Sequence, residues 1–195
     1  MRPERLEFKA ALAAAALSVI VITALVFGDA RHVRADEAVG PAVLTVTGEV
    51  TRTNRGPYDP DTDKFFGYFD NEFKDAVSFD YKMLSQLDAV KVSADFPKDG
   101  PVHIFEGPTL AAVLEAAGAT GETLTLQALD GYQIEVKVSE LVRNGAVLAL
   151  RRDGRPLGIG DFGPLHLVFP RAERDDLKDM SDDNWIWSVY HISIQ

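Results

Sequence analysis

Two Asp-Gly pairs, Asp130-Gly131 and Asp153-Gly154, each stand between short runs of β-forming residues. Asp-Gly suits the tight turn of a hairpin, so the runs on either side must pair antiparallel. The first pair splits "TLTLQALDGYQIEVKV", residues 123–138, and the second splits "GAVLALRRDGRPLGI". A chain carrying two such hairpins is committed to sheets built largely from neighbouring strands.

The remaining elements extend this pattern. "AVLTVTGEV", 42–50, alternates and is β-branched, which predicts a strand. Residues 51–77 are polar, aromatic and punctuated by Pro and Gly, which predicts a long loop. "SFDYKMLSQL", 78–87, sets Phe79, Met83, Leu84 and Leu87 on one helical face, with Ser78 as N-cap. "AVKVSADF" and "PVHIFEG" read as strands around the turn Pro97–Gly100. "PTLAAVLEAAGA", 108–119, is the clearest helix, with Pro108 in its first turn and Gly118 at its end. "PLHLVFP" and "NWIWSVYHISI", 184–194, complete the strands. The expected class is α+β, with mainly antiparallel or mixed sheets and a few short helices.

The first residues follow another logic. Arg2, Arg5 and Lys9 precede an uncharged apolar run from Ala10 to Phe27, and small residues follow at Gly28-Asp29-Ala30 and Val33-Arg34-Ala35. This pattern reads as a signal peptide or an N-terminal membrane anchor over residues 1–30, with 10–27 as the spanning part. Residues 31–195 are then one exported, periplasmic domain, because the basic flank stays inside.

Composition removes several functions. The chain has no cysteine, which excludes disulfides, thiolate metal sites, iron–sulfur clusters and cysteine nucleophiles. Its net charge of −10 repels phosphate backbones, so no nucleic-acid partner is expected. Asp161-Phe162-Gly163 matches a kinase triplet, but the Gly-rich loop, strand lysine and H-R-D loop are missing. Asp59, Asp61 and Asp63 alternate like the first ligands of a calcium loop. Lys64 stands where the turn glycine belongs and Asp70 replaces the closing glutamate, so a solvated acidic loop is the better reading. The run "RAERDDLKDMSDDN" reads the same way. His32, His103, His166 and His191 show no metal-binding spacing, and no serine occupies a G-x-S-x-G elbow.

The residual signal is spread along the chain: "GPVHIFEGPTLAAVLEAAGA", Asp130-Gly131-Tyr132, "LALRRDGRPL", "GDFGPLHLVFP" and "NWIWSVYHISI". In this order these blocks resemble the molybdopterin-binding domain of the sulfite oxidase family, over about residues 42–194. The resemblance implies that family's fold. It also implies departures from the family's chemistry. The enzymes hold molybdenum through a cysteine on the strand before the helix, whereas this chain offers Ser93, Ala94 and Asp95 there. Where the enzymes read H-G-x-P-x-R, with His and Arg holding the cofactor phosphate, this chain has Phe162, Gly163, Pro164 and His166. A neutral imidazole cannot replace a bidentate guanidinium. The enzymes' Lys-Trp near the end is represented by Asn184 to Trp187.

These substitutions leave the makings of an aromatic, hydrogen-bonding cleft. The ligand-binding residues expected by this comparison are Phe96, Asp130, Tyr132, Arg151, Arg152, Asp161, Phe162, His166, Trp185 and Trp187. Carboxylates can accept from the amino–imino edge of a pterin, and aromatic faces can stack on its ring. Plain alternatives exist for each: Asp130 as a turn former, the aromatics as packing. The expected function is an exported, non-catalytic pterin-binding protein, its pterin free of molybdenum. The resemblance extends to cysteine-free exported relatives and implies as partner the periplasmic sensor domain of a membrane-bound cyclic-di-GMP enzyme. A molybdopterin-dependent oxidoreductase and a structural module with an empty cleft are the alternatives.

Overall fold

The hairpin at Asp130-Gly131 forms as its turn chemistry requires. Thr123–Ala128 (β7) and Gln133–Lys137 (β8) pair antiparallel, and Gly131 adopts φ +90° between them. In this computed structural model, which describes residues 33–195, β7 and β8 form one side of a five-stranded sheet. Its order is Ala76–Asp80 (β4), Ala42–Gly48 (β2), Val189–Ile194 (β13), then β7 and β8. Only the β2–β13 contact in this sheet is parallel. A second sheet has four strands: Arg155–Pro156 (β11), Arg151–Arg152 (β10), Val102–Pro108 (β6) and Ala89–Asp95 (β5). Two small ladders join Val33–Arg34 (β1) to Arg52–Thr53 (β3), and Val147–Ala149 (β9) to His166–Val168 (β12). With four short α-helices among the described residues, Lys64–Tyr68 (α1), Tyr81–Gln86 (α2), Leu110–Ala117 (α3) and Val138–Arg143 (α4), the class is α+β.

Strand pairing sorts the large sheet into two faces. Leu44, Val46, Leu124, Leu126, Ile192 and Ile194 share one face by register, and all are buried in the apolar core. Helix α3 adds Leu110, Val113, Leu114 and Ala117 to the same core. The opposite face carries Thr45, Thr47, Ser78, Gln127 and His191, which are also buried. Buried polar groups need partners. Thr47 Oγ1 lies 2.8 Å from His191 Nε2, and Asn71 donates to Gln127 Oε1 and, at 3.1 Å, to Tyr190.

Asn71 belongs to the segment expected to be a plain loop. Residues 54–75 instead lie as a strap over that polar face. Phe66 meets His191 edge-on at 5.5 Å, and the Arg55 guanidinium sits 5.0 Å from both the Phe66 and Phe73 ring centroids. Asp63, one of the calcium-like acids, pairs with Arg55 and is mostly shielded rather than solvated. Helix α1 interrupts this segment immediately after Asp63.

The helix expected over 78–87 is shorter. Residues 76–80 form β4, all of it buried, so Phe79 is a strand residue and Ser78 caps nothing. Asp80 is the N-cap of α2, accepting from Met83 N at 2.7 Å and, through its other oxygen, from Gly40 N at 2.8 Å. These backbone donors, Gly40 first, hold its carboxyl below the usual range. Pro108 closes β6 instead of opening α3. Thr109 caps that helix by accepting from Ala112 N at 3.1 Å. Gly118 ends it in the left-handed region, as its place in the sequence implies. The proposed export segment lies outside the described residues, among which no helix is long and apolar enough to cross a membrane.

Candidate functional site

A cleft of about 390 Å³ opens where the β7–β8 turn faces the segment 182–187. From the hairpin come Ala128, Asp130 and Tyr132. Phe96 stands at the end of β5, and Asp182, Asp183, Trp185, Ile186 and Trp187 supply the other wall. Tyr132 spans the two sides, its hydroxyl donating to the Asp183 carbonyl at 3.3 Å.

Asp130 does two things at once. Its Oδ1 accepts from Tyr132 N at 3.0 Å, an Asx turn that shapes the hairpin tip. No hydrogen bond from the described residues occupies its other oxygen, which remains available at the cleft edge. Tyr132 is 52% exposed and Trp187 41% exposed, so both present aromatic surface to solvent in the cleft.

Trp185 is built into the wall instead. It is 2% exposed, with Phe96 stacked on it at 5.6 Å and 12° between planes. The guanidinium of Arg171 lies 4.4 Å from its ring centroid. Arg171 is itself buried and engages three partners. Nε donates to Asp95 Oδ1 at 2.7 Å, and Nη1 donates to Asp182 Oδ1 at 2.7 Å and to the Met180 carbonyl at 2.9 Å. Asp182 Oδ2 also accepts from Lys98 N at 2.8 Å. The indole Nε1 of Trp185 has no acceptor within the described residues.

The other residues singled out in the sequence lie outside the cleft lining. His166 is fully buried in β12, ringed by Phe96 at 4.7 Å, Phe162 at 5.3 Å and Phe105 at 5.6 Å. Neither ring nitrogen has a hydrogen-bonding partner of good geometry. Burial pushes its pKa down to about 3, opposed in part by the Trp185 backbone. It is a neutral core residue and not a group at the mouth of a phosphate site. Phe162 forms a second layer behind the cleft, stacked on His166 and edge-on to Phe96 and Trp187. Arg152 reaches toward that layer, 5.3 Å over Phe162, with Nη2 3.2 Å from His103 Nε2. Arg151 turns to its own hairpin, donating to the Gly154 carbonyl at 2.9 Å and to Tyr81. Asp161 is exposed on the loop 158–163. That loop holds the strand beside it: Ser188 Oγ donates to Gly163 O at 2.8 Å, and Ser188 N to Phe162 O at 3.0 Å. Gly163 is required there, because a Cβ would lie 2.5 Å from the Leu157 carbonyl carbon.

Asp95, on the stretch that the sequence resemblance sets against the sulfite oxidase family's metal-binding cysteine, is fully committed. Oδ1 accepts from Arg171 and Oδ2 accepts from Asp99 N at 3.0 Å. Burial pushes its carboxyl up, but the hydrogen bonds from Arg171 and Asp99 N outweigh this and hold it below the usual range. The neighbouring Ser93 offers only a hard hydroxyl. Among the described residues, no three His, Asp or Glu side chains converge to hold an ion. The donor set therefore does not fit a molybdenum centre.

The acids Asp182 and Asp183 and the cation Arg171 were not singled out from the sequence. A solvated run and a working cleft wall look alike in sequence. The one available cue was an arginine, Arg171, at the junction of an apolar strand and an acidic run.

No family model matches this chain, and no curated protein does. Among solved structures, it is similar to the sulfane dehydrogenase SoxCD from Paracoccus pantotrophus, with a TM-score of 0.51 and 14% identity. The match covers 77% of this chain and 37% of the other, so the present chain spans little more than a third of its neighbour. At this identity the likeness speaks to fold alone, as a distant relationship.

Proposed function

We propose that this chain is an exported, non-catalytic protein that binds a flat amino–oxo heterocycle of the pterin class, without molybdenum, on a fold of the sulfite oxidase type. One observation carries the reading: the cleft pairs solvent-facing aromatic surface on Tyr132 and Trp187 with an Asp130 oxygen that no hydrogen bond from the described residues occupies. A pterin edge offers adjacent N–H donors to such an oxygen, and its ring offers a face to the aromatics. The distant likeness to a dehydrogenase agrees with the order of the sequence blocks.

Electron chemistry is the less favoured reading, because the stretch set against the metal-binding cysteine offers no thiolate, and its one carboxylate, Asp95, is already bonded to Arg171 and Asp99 N. Occupancy is read by a membrane-bound partner, of the kind the family resemblance implies: the periplasmic sensor domain of a cyclic-di-GMP enzyme.

Thermal unfolding with reduced and oxidised pterins tests the binding. At a hundredfold excess over Kd, a ligand specific for the folded state adds about 2.7 kcal/mol, a readily measured rise in Tm. An unmoved Tm across the panel removes the proposal. Stoichiometric molybdenum in protein purified from its own host replaces it with the oxidoreductase reading.

A further inference from the structure

The charge inventory of the cleft goes further than its shape. Asp130, Asp182 and Asp183 line it, and no Lys, Arg or His does. The nearest buried cation, Arg171, is met by two carboxylates, Asp95 and Asp182, so that trio carries one net negative charge and lends the cleft no positive field. Among the described residues, Asp183 Oδ2 accepts only from the small Ser181 hydroxyl, at 2.8 Å. Arg151 and Arg152 are turned to the Gly154 carbonyl and to His103.

Two physical effects therefore act in the same direction. Carboxylates at the rim attract a cation and repel a phosphate. Trp187 and Tyr132 are exposed aromatics in the lining, and a cation over an aromatic ring is attracted by its quadrupole, which favours a positive ligand again. The cleft volume falls within the range of small-molecule sites, so a bicyclic ring fits.

From this we infer that the cleft selects flat rings bearing a positive charge over neutral rings of the same size, and rejects anionic ones. The inference rests on the reading that the cleft takes a flat heterocycle, and it adds the charge of the preferred ligand.

The test compares N-methylquinolinium, permanently cationic, with 2-methylquinoline, neutral at pH 8, on the full chain by calorimetric titration. An unphosphorylated neutral pterin and its phosphate ester form the second arm. The cationic ring is expected to bind about tenfold or more tightly than its neutral partner, with affinity falling as salt rises. The phosphate ester is expected to bind more weakly than the plain pterin. Asp130→Asn keeps the oxygen that accepts from Tyr132 N and removes the charge, so it should narrow the cation preference while leaving the fold intact. Asp183→Asn should act in the same direction and provides an independent check if the first variant folds poorly.

Equal affinity for the charged and neutral rings overturns the inference while leaving pterin binding standing. Tight binding of the cation with none of the pterin keeps the inference and removes the pterin reading. Binding of neither removes both.

Discussion

Arg171 lies over Trp185 with its guanidinium carbon 4.4 Å from the ring centroid, and the same guanidinium ties Asp95 to Asp182. One buried cation thus joins the end of β5, the segment 180–182 and the aromatic wall of the cleft. The three groups differ in their access to water. The side chain of Arg171 is 1% exposed, whereas Asp95 keeps 19% and Asp182 31%.

That asymmetry predicts an unusual order of mutational costs. Asp95→Ala leaves a buried guanidinium short of a partner, which should cost about 3–5 kcal/mol. Arg171→Met removes the buried charge and leaves two acids that can turn toward water, so its cost should be smaller. Urea denaturation of both variants decides the point. A larger loss for Arg171→Met would mean that the acids, and not the cation, are the groups trapped by folding.

The two buried histidines predict how stability depends on acid. Burial pushes His166 down to about 3, and burial with the charge of Arg55 pushes His191 down to about 4. Both values lie below that of an unfolded histidine, so the unfolded chain takes up protons first as pH falls. Their contribution is fully present above about pH 6.5, and it is lost as pH falls through the window down to about 3 for His166 and about 4 for His191. The limiting slope is about 1.4 kcal/mol per pH unit for each histidine. His166→Leu removes two unpartnered polar atoms and should flatten the curve by one histidine's share, with little loss at pH 7. An unchanged slope in that variant would show that His166 is not held neutral.

The hairpin tip joins the cleft to the strap. Gly131 has φ +90°, and a Cβ there would stand 2.6 Å from Phe69 Cε1. Gly131→Ala therefore meets both backbone strain and a clash, at a cost of about 1–3 kcal/mol. Trimming the ring with Phe69→Ala in the same background should recover only the clash, so a double-mutant cycle should show coupling between the strap and the cleft edge. Additive losses would mean that the strap lies there without bearing on the turn.

How much of this was legible follows from where the physics is local. The hairpins at Asp130-Gly131 and Asp153-Gly154 rest on turn chemistry within a few residues, and both formed. The cap of α2 was misplaced because β4 is buried on both sides, which erases the alternation that marks a strand. The strap 54–75 was read as loop because its partners, Thr45, Gln127 and His191, are scattered across three strands. Phe96, Asp130, Tyr132, Trp185 and Trp187 share one cleft, while His166 is enclosed by rings that only the tertiary fold brings together. The role of Arg171 is hidden for the same reason: one of its acids, Asp95, is 76 residues away in sequence, and the other sits in a run that reads as solvated.

The paired tryptophans separate binding from folding. Trp185 and Trp187 are two residues apart and both line the cleft, yet one is sealed under Phe96 and Arg171 and the other is 41% exposed. Trp185→Ala should empty a large core volume and cost about 3–5 kcal/mol of stability. Trp187→Ala should cost distinctly less stability than Trp185→Ala, because 41% of its surface already faces solvent. If its face stacks on the ligand, affinity for an unphosphorylated pterin should fall by about 0.5–1.5 kcal/mol, or roughly two- to twelve-fold. Parallel unfolding and titration of the two variants would show the division. A Trp187→Ala variant that keeps full affinity would mean that ligand recognition uses the carboxylate edge alone.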